Sequence, residues 1–255
     1  MNEPTLKLKN APIIEAVLDI ECDLPPGQQL SALESSVRAA FRDQYPKFRK
    51  QLWFEHQFEH KIAHPVTEPK TTSRSDLQAL QLLTEDEKQL VQVRAAGFSF
   101  NRLSPYSSLD DYLPEIERTW RLYVEMATPV QIRLIRLRYI NRILLPTVNG
   151  VVDLDDYLKV GPRLPDDARF QFAGFLIQQQ AVEVETGSEI NTVLTMQSMD
   201  GLSLPIIFDN SVAAQWPGDV KEWAQIRAKI LELRELKNHI FGRTLTPKCL
   251  ELFQR

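Results

Sequence analysis

Between residues 13 and 24 apolar and polar side chains alternate. Ile14, Ala16, Leu18, Ile20, Cys22 and Leu24 fall on one face, and Glu15, Val17, Asp19, Glu21 and Asp23 on the other. A period of two predicts a half-buried strand. Pro25-Pro26-Gly27 turns the chain. Leu30, Leu33, Val37 and Phe41, spaced by three and four, then predict a helix that stops near Tyr45-Pro46. Strands are expected over 51–63, 77–83 and 88–102, with the Pro/Thr/Ser-rich stretch 65–75 as a loop. Ser107-Ser108 caps a further helix, whose stripe of Leu109, Tyr112, Leu113, Ile116, Trp120 and Val124 ends before Pro129.

From residue 130 the same order recurs. A long strand over 131–145 precedes a short helix at 153–158, strands near 172–186, 190–199 and 203–212, and a long helix from about 219. That helix carries Trp223, Ile226, Ile230, Leu233, Leu236 and Ile240, and Leu231 widens the band toward a face suited to docking on a sheet. The expected fold is α+β. Two similar β-α-β-β-β-α halves, residues 1–128 and 129–255, form one long curved antiparallel sheet with helices packed on one side. The duplication rests on element order alone.

Three of the four histidines, His56, His60 and His64, recur at steps of four in "FEHQFEHKIAH". On a helix, neighbours in this series would stack about 6 Å apart and two could share a zinc ion. On a strand they would be about 13 Å apart, beyond the reach of one ion. Leu52, Phe54, His56, Phe58, His60 and Ile62 alternate with Trp53, Glu55, Gln57, Glu59 and Lys61. That period favours the strand, so neither a metal nor a cofactor is expected.

Thirty basic against 34 acidic residues give a net charge of −4, which provides no global field for a polyanion, so nucleic acid is not an expected partner. Cys22 and Cys249 are far apart and form no CxxC, which points to small apolar fillers in a reducing compartment. Nine glycines form neither GxGxxG nor GxxxxGK, so the usual phosphate cradle is missing. No GxSxG or HExxH occurs, and Asp110-Asp111, Asp155-Asp156 and Asp166-Asp167 sit at expected helix starts or loops. No apolar run approaches the roughly 18 residues of a membrane helix, and the start lacks a signal-peptide layout. A soluble cytoplasmic protein with no membrane partner is expected.

The strand "RLIRLRYINRI", residues 133–143, places Ile135, Leu137, Tyr139, Asn141 and Ile143 on one face and Leu134, Arg136, Arg138, Ile140 and Arg142 on the other. Its arginines need partners, and the acidic face of the first strand would supply them if the two strands were neighbours. Two readings follow. One is a solvated ladder of ion pairs, each worth little. The other is a ligand-binding polar groove on the uncovered sheet face, lined by Glu15, Arg102, Arg138, Asn141 and Arg142, in which Arg138 and Arg142 hold a small anionic ligand or an acidic segment of a protein partner.

Ala11-Pro12-Ile13-Ile14-Glu15-Ala16, Gly97-Phe98-Ser99-Phe100-Asn101-Arg102-Leu103, Arg138-Tyr139-Ile140-Asn141-Arg142-Ile143 and Leu236-Lys237-Asn238-His239-Ile240-Phe241, with Leu245-Thr246 after it, carry a resemblance across nearly the whole chain. As a set they resemble a sporadically distributed family of uncharacterised bacterial proteins of about this length. The resemblance implies a bacterial cytoplasmic protein and brings no reaction, substrate or catalytic residue with it. The functional expectation is a non-enzymatic ligand- or protein-binding or regulatory module. A small-molecule hydrolase or isomerase using the carboxylates and arginines of the same groove is the alternative, and a homodimer is one oligomeric state left open.

Overall fold

The computed structural model describes residues 8–59, 70–163, 165, 169 and 173–254. In chain order the elements are β1 (Ile13–Asp23), α1 (Glu34–Phe41) entered through a 3-10 turn at Leu30–Leu33, β2 (Lys47–Glu59), β3 (Lys70–Leu83), β4 (Gln89–Arg94), β5 (Gly97–Leu103) and α2 (Leu109–Ala127). There follow β6 (Gln131–Pro146), a 3-10 turn (Leu154–Asp156), β7 (Leu176–Val182), β8 (Glu189–Met196), β9 (Ser203–Gly218), α3 (Trp223–Thr244) and the short α4 (Pro247–Glu251). The fold is α+β. Among the described residues nine strands form a single open sheet in the order β2-β3-β4-β5-β1-β6-β9-β8-β7, and every pairing is antiparallel.

The alternation in β1 has the predicted consequence. Ala16, Leu18, Ile20 and Cys22 are buried in the main core with Val37 and Phe41 of α1, Ile116, Trp120 and Tyr123 of α2, and Ile226, Ile230 and Leu233 of α3. Trp120 anchors this core. Its ring meets Phe98 edge-on at 5.6 Å, and its indole N–H donates to the Val220 carbonyl at 3.0 Å, so the largest apolar side chain buries no unpaired donor. A second, smaller cluster gathers Ile143 and Leu145 of β6, Phe208 of β9, Phe241 of α3, and Cys249 and Phe253 at the C-terminal end. Both cysteines are free and buried, and burial pushes each thiol up to about 12, which makes them inert fillers.

Several boundaries differ from expectation. The strand expected over 88–102 is the hairpin β4–β5, turning at Ala95-Ala96. Gly97 makes the turn possible. Its φ is +136°, and a Cβ there would run into the Ile20 carbonyl and lie 2.9 Å from the Cys22 nitrogen. The first stretch therefore has four strands between its helices where three were expected. The helix expected at 153–158 is a single 3-10 turn. Of the loop expected over 65–75, residues 70–75 belong to β3, where they pair with β2, and 65–69 lie outside the described residues.

β2 answers the histidine question as far as it is described. Residues 47–59 are extended and pair along β3, with His56 opposite Ser73. His56 is thus on a strand, while His60 and His64 lie outside the described residues. Among the described residues no group of three or more His, Cys, Asp or Glu side chains comes together as a metal site.

A candidate ligand cavity at the seam between two cores

The two apolar clusters are separated by three buried polar side chains, one on each of three packed elements. On β6, Asn141 lies between Tyr139 of the main core and Ile143 of the smaller one. On β9, Asn210 lies between Val212 and Phe208 in the same way. On α3, Lys237 stands four residues after Leu233 and four before Phe241, in the middle of the buried stripe. The helical and strand periods together put the three at one level of the layered structure.

Two of the three are largely satisfied. The Asn141 amide donates to the Phe208 carbonyl at 2.9 Å and to that of Tyr139 at 3.3 Å. The Asn210 amide donates to the Lys237 carbonyl at 3.0 Å, tying β9 to α3, while its own carbonyl oxygen has no partner among the described residues. Lys237 differs. The residue is 7% exposed, yet its ammonium makes no ion pair or hydrogen bond to the described residues. Its Nζ sits 3.7 Å from the centroid of the Tyr139 ring. A desolvated cation over an aromatic face gains about 2 kcal/mol, whereas removing an ammonium from water costs several. Burial wins, and with Arg234 as a second cause it pushes the amine down to about 7, against a smaller opposing pull from Glu235.

The seam opens into a cavity of about 490 Å³, lined by Lys237. One wall is the entry to β1, Ala11, Pro12 and Ile13, where the register shifts between Ile13 and Glu15 and the Pro12 carbonyl accepts from the Arg142 backbone N–H at 2.8 Å. A second is the start of α2, where Ser108 caps the helix by accepting from the Asp110 N–H at 3.1 Å. α3 supplies Arg234, Asn238 and Phe241. Arg234 is held by Asp110, with Nη1 3.0 Å from each carboxylate oxygen, and its Nε donates to Glu235 at 3.2 Å.

Tyrosines complete the lining. The hydroxyls of Tyr106 and Tyr139 are 2.7 Å apart, and their rings meet edge-on at 5.5 Å. Burial pushes Tyr139 up to about 12 and Tyr106 higher still, so both phenols stay neutral. Tyr112 packs on Tyr106 at 5.5 Å and accepts from Arg102 Nε at 3.1 Å.

The five residues expected to form one groove divide between the two faces of the sheet. Asn141 is on the helix side, in the seam and in the cavity lining. Arg102 is on that side too: it pairs opposite the core residue Ala16, lies 5.2 Å from the Tyr112 ring and props it. Glu15, Arg138 and Arg142 are on the open face, each with its own partner. Glu15 accepts from Asn101 at 2.8 Å, Arg138 grips both oxygens of Asp209, and Arg142 reaches Asp200 at 2.8 Å. β1 and β6 are indeed neighbours, yet of the three arginines only Arg136 is ion-paired with the acidic face of β1, to Glu21 at 3.3 Å and Asp19 at 3.8 Å. Asp19, buried at the centre of this ladder, also receives the Ser99 hydroxyl and Arg94 at 3.0 Å.

Sequence reasoning missed Lys237, although a signal was present. The stripe taken for α3 ran through Leu236 and Ile240, while the buried stripe runs through Trp223, Ile226, Ile230, Leu233, Lys237 and Phe241. A lysine on the apolar line of a helix was legible as a spacing. No family model matches the chain, and neither a curated protein nor a solved structure is detectably similar to it.

Proposed function

We propose that the protein is a ligand-binding module whose site is the cavity between the start of α2 and the middle of α3, and that its ligand is a small organic anion with an apolar body. The observation that carries this reading is Lys237, a buried cation with no anionic partner, lining a cavity. A carboxylate, sulfonate or phosphate would supply the missing charge-assisted bonds in a low-dielectric setting where they are strong. Leu8, Pro12, Ile13, Leu109 and Phe241 offer apolar contact for the rest of the molecule, and the volume suits a drug-sized ligand. The open face is the weaker site, because Glu15, Arg138 and Arg142 are already satisfied by Asn101, Asp209 and Asp200 respectively.

Membership of the sporadically distributed bacterial family, and with it a cytoplasmic setting, belongs to the same proposal, supported by the four motifs and by the absence, among the described residues, of a helix long and apolar enough to cross a membrane. Internal duplication belongs to it as well. Outward from the adjacent pair β1 and β6, the sheet runs β5-β4-β3 on one side and β9-β8-β7 on the other, with β2 as an extra edge strand.

Titration with 1-anilinonaphthalene-8-sulfonate, an anion with an apolar body and no carbonyl group, tests the site. One saturable site is expected, weakened at least about tenfold in Lys237→Met, which corresponds to the loss of one charge-assisted contact. Equal affinity in the parent and the variant would place the dye elsewhere, for instance on the exposed Trp53 and Phe54 of β2, and would sink the proposal.

A further inference from the structure

We infer that Lys237 is a carbonyl-capturing amine, forming a reversible imine with an aldehyde or 2-oxo acid that carries an anionic group. The inference rests on the cavity being the ligand site and adds covalent chemistry to it. Three features of the geometry point this way. Nζ forms no ion pair with a described carboxylate, and Asp110, the acid in the cavity lining, is engaged by Arg234. Arg234, one turn earlier on α3, places a second positive charge beside it, an arrangement that favours the neutral amine. The same guanidinium leaves Nη2 without a partner among the described residues, available to the anionic end of the captured molecule.

The step balances without a further reagent. The lone pair of the neutral amine attacks the carbonyl carbon, the π pair moves to oxygen, and a proton passes from nitrogen to that oxygen to give a carbinolamine. The carbon–oxygen bond then breaks, the nitrogen gives up its second proton, and water leaves as the imine forms. Nothing is oxidised or reduced. The titratable and charged groups facing the amine are the Arg234–Asp110 pair, Glu235 beyond it, and the neutral phenols of Tyr106 and Tyr139.

The test is reductive trapping on the full chain near pH 7, with glyoxylate and phenylpyruvate as two separate probes and cyanoborohydride as the reductant that converts an imine into a stable secondary amine. Peptide mass spectrometry then compares Lys237 with the exposed Lys159 and Lys221. Trapping at Lys237 is expected to be at least about tenfold faster than at either surface lysine, because a far larger fraction of it is neutral at this pH. Saturation with phenylpyruvate and suppression by the naphthalenesulfonate dye are also expected. Lys237 modified no faster than Lys159 and Lys221 by both probes would overturn the inference. If the dye still bound in a Lys237-dependent way, the cavity reading would survive that result; if it did not, both would fall.

Discussion

The Lys237 ammonium nitrogen lies 3.7 Å from the centroid of the Tyr139 ring, and no other described group holds it. Helix α3 and strand β6 thus meet through a cation and an aromatic face at the level where each element passes from one apolar cluster to the other. A fold built only for stability would place a leucine here, since a buried unpaired charge costs more than a well-packed apolar side chain.

That cost has a pH signature. Lys237 has its folded pKa lowered from 10.5 to about 7. Below pH 7 both folded and unfolded chains carry the proton, and the full penalty of the buried charge is present. Between about 7 and 10.5 the unfolded chain holds a proton that the folded one has lost, so stability rises with pH. Lys237→Met is therefore expected to be more stable than the parent by about 2 kcal/mol or more near pH 6, with the gap closing toward pH 10. Urea denaturation of both proteins at three pH values measures it. A gap independent of pH would contradict the assignment.

The hydroxyl pair beside it makes a second expectation. Tyr106→Phe leaves the buried Tyr139 hydroxyl without its partner and should cost about 1–3 kcal/mol. The double variant with Tyr139→Phe removes both polar atoms and should cost clearly less than the two single changes added together. A double-mutant cycle that came out additive would mean that the two hydroxyls do not act as a pair.

Gly97 holds the β4–β5 hairpin against β1. With φ at +136° and the β1 backbone where a methyl group would go, Gly97→Ala should lose at least about 3 kcal/mol of stability. A loss under about 1 kcal/mol in chemical denaturation would show that the hairpin does not need this backbone shape.

Much of the sheet was legible in the sequence, and the reasons for the rest are local. The alternation of β6, and of β1 from Ala16 onward, set the two faces correctly, so Asn141 was already on the side of Tyr139 and away from Arg138; Ile14, read as buried, is exposed because the register shifts between Ile13 and Glu15. The β4–β5 turn was hidden because Ala95-Ala96 carries no Asn-Gly or Pro signal, although the apolar positions change phase across it, from Val91 and Val93 to Phe98 and Phe100. Lys237 was hidden for a different reason. Lysine is ordinarily solvated, so a position read by residue type alone goes to the surface, while its place four residues from both Leu233 and Phe241 put it in the core.

The open-face arginines provide a direct contrast. Arg138 is 45% and Arg142 34% exposed at the side chain, so each pair is screened by solvent, and Arg138→Ala or Arg142→Ala should cost no more than about 1 kcal/mol. Neither change should move the affinity for 1-anilinonaphthalene-8-sulfonate by more than about twofold, a small fraction of a charge-assisted contact. A large loss of dye affinity in either variant would return the binding site to the open face.

A crystal structure of the complex with that dye tests the central claim most directly. The cavity account predicts density between the start of α2 and the middle of α3, with the sulfonate within hydrogen-bonding distance of Lys237 Nζ or Arg234. Density confined to the open face beside Arg138, or to Trp53 and Phe54 at the edge of the sheet, with the cavity empty, would contradict it.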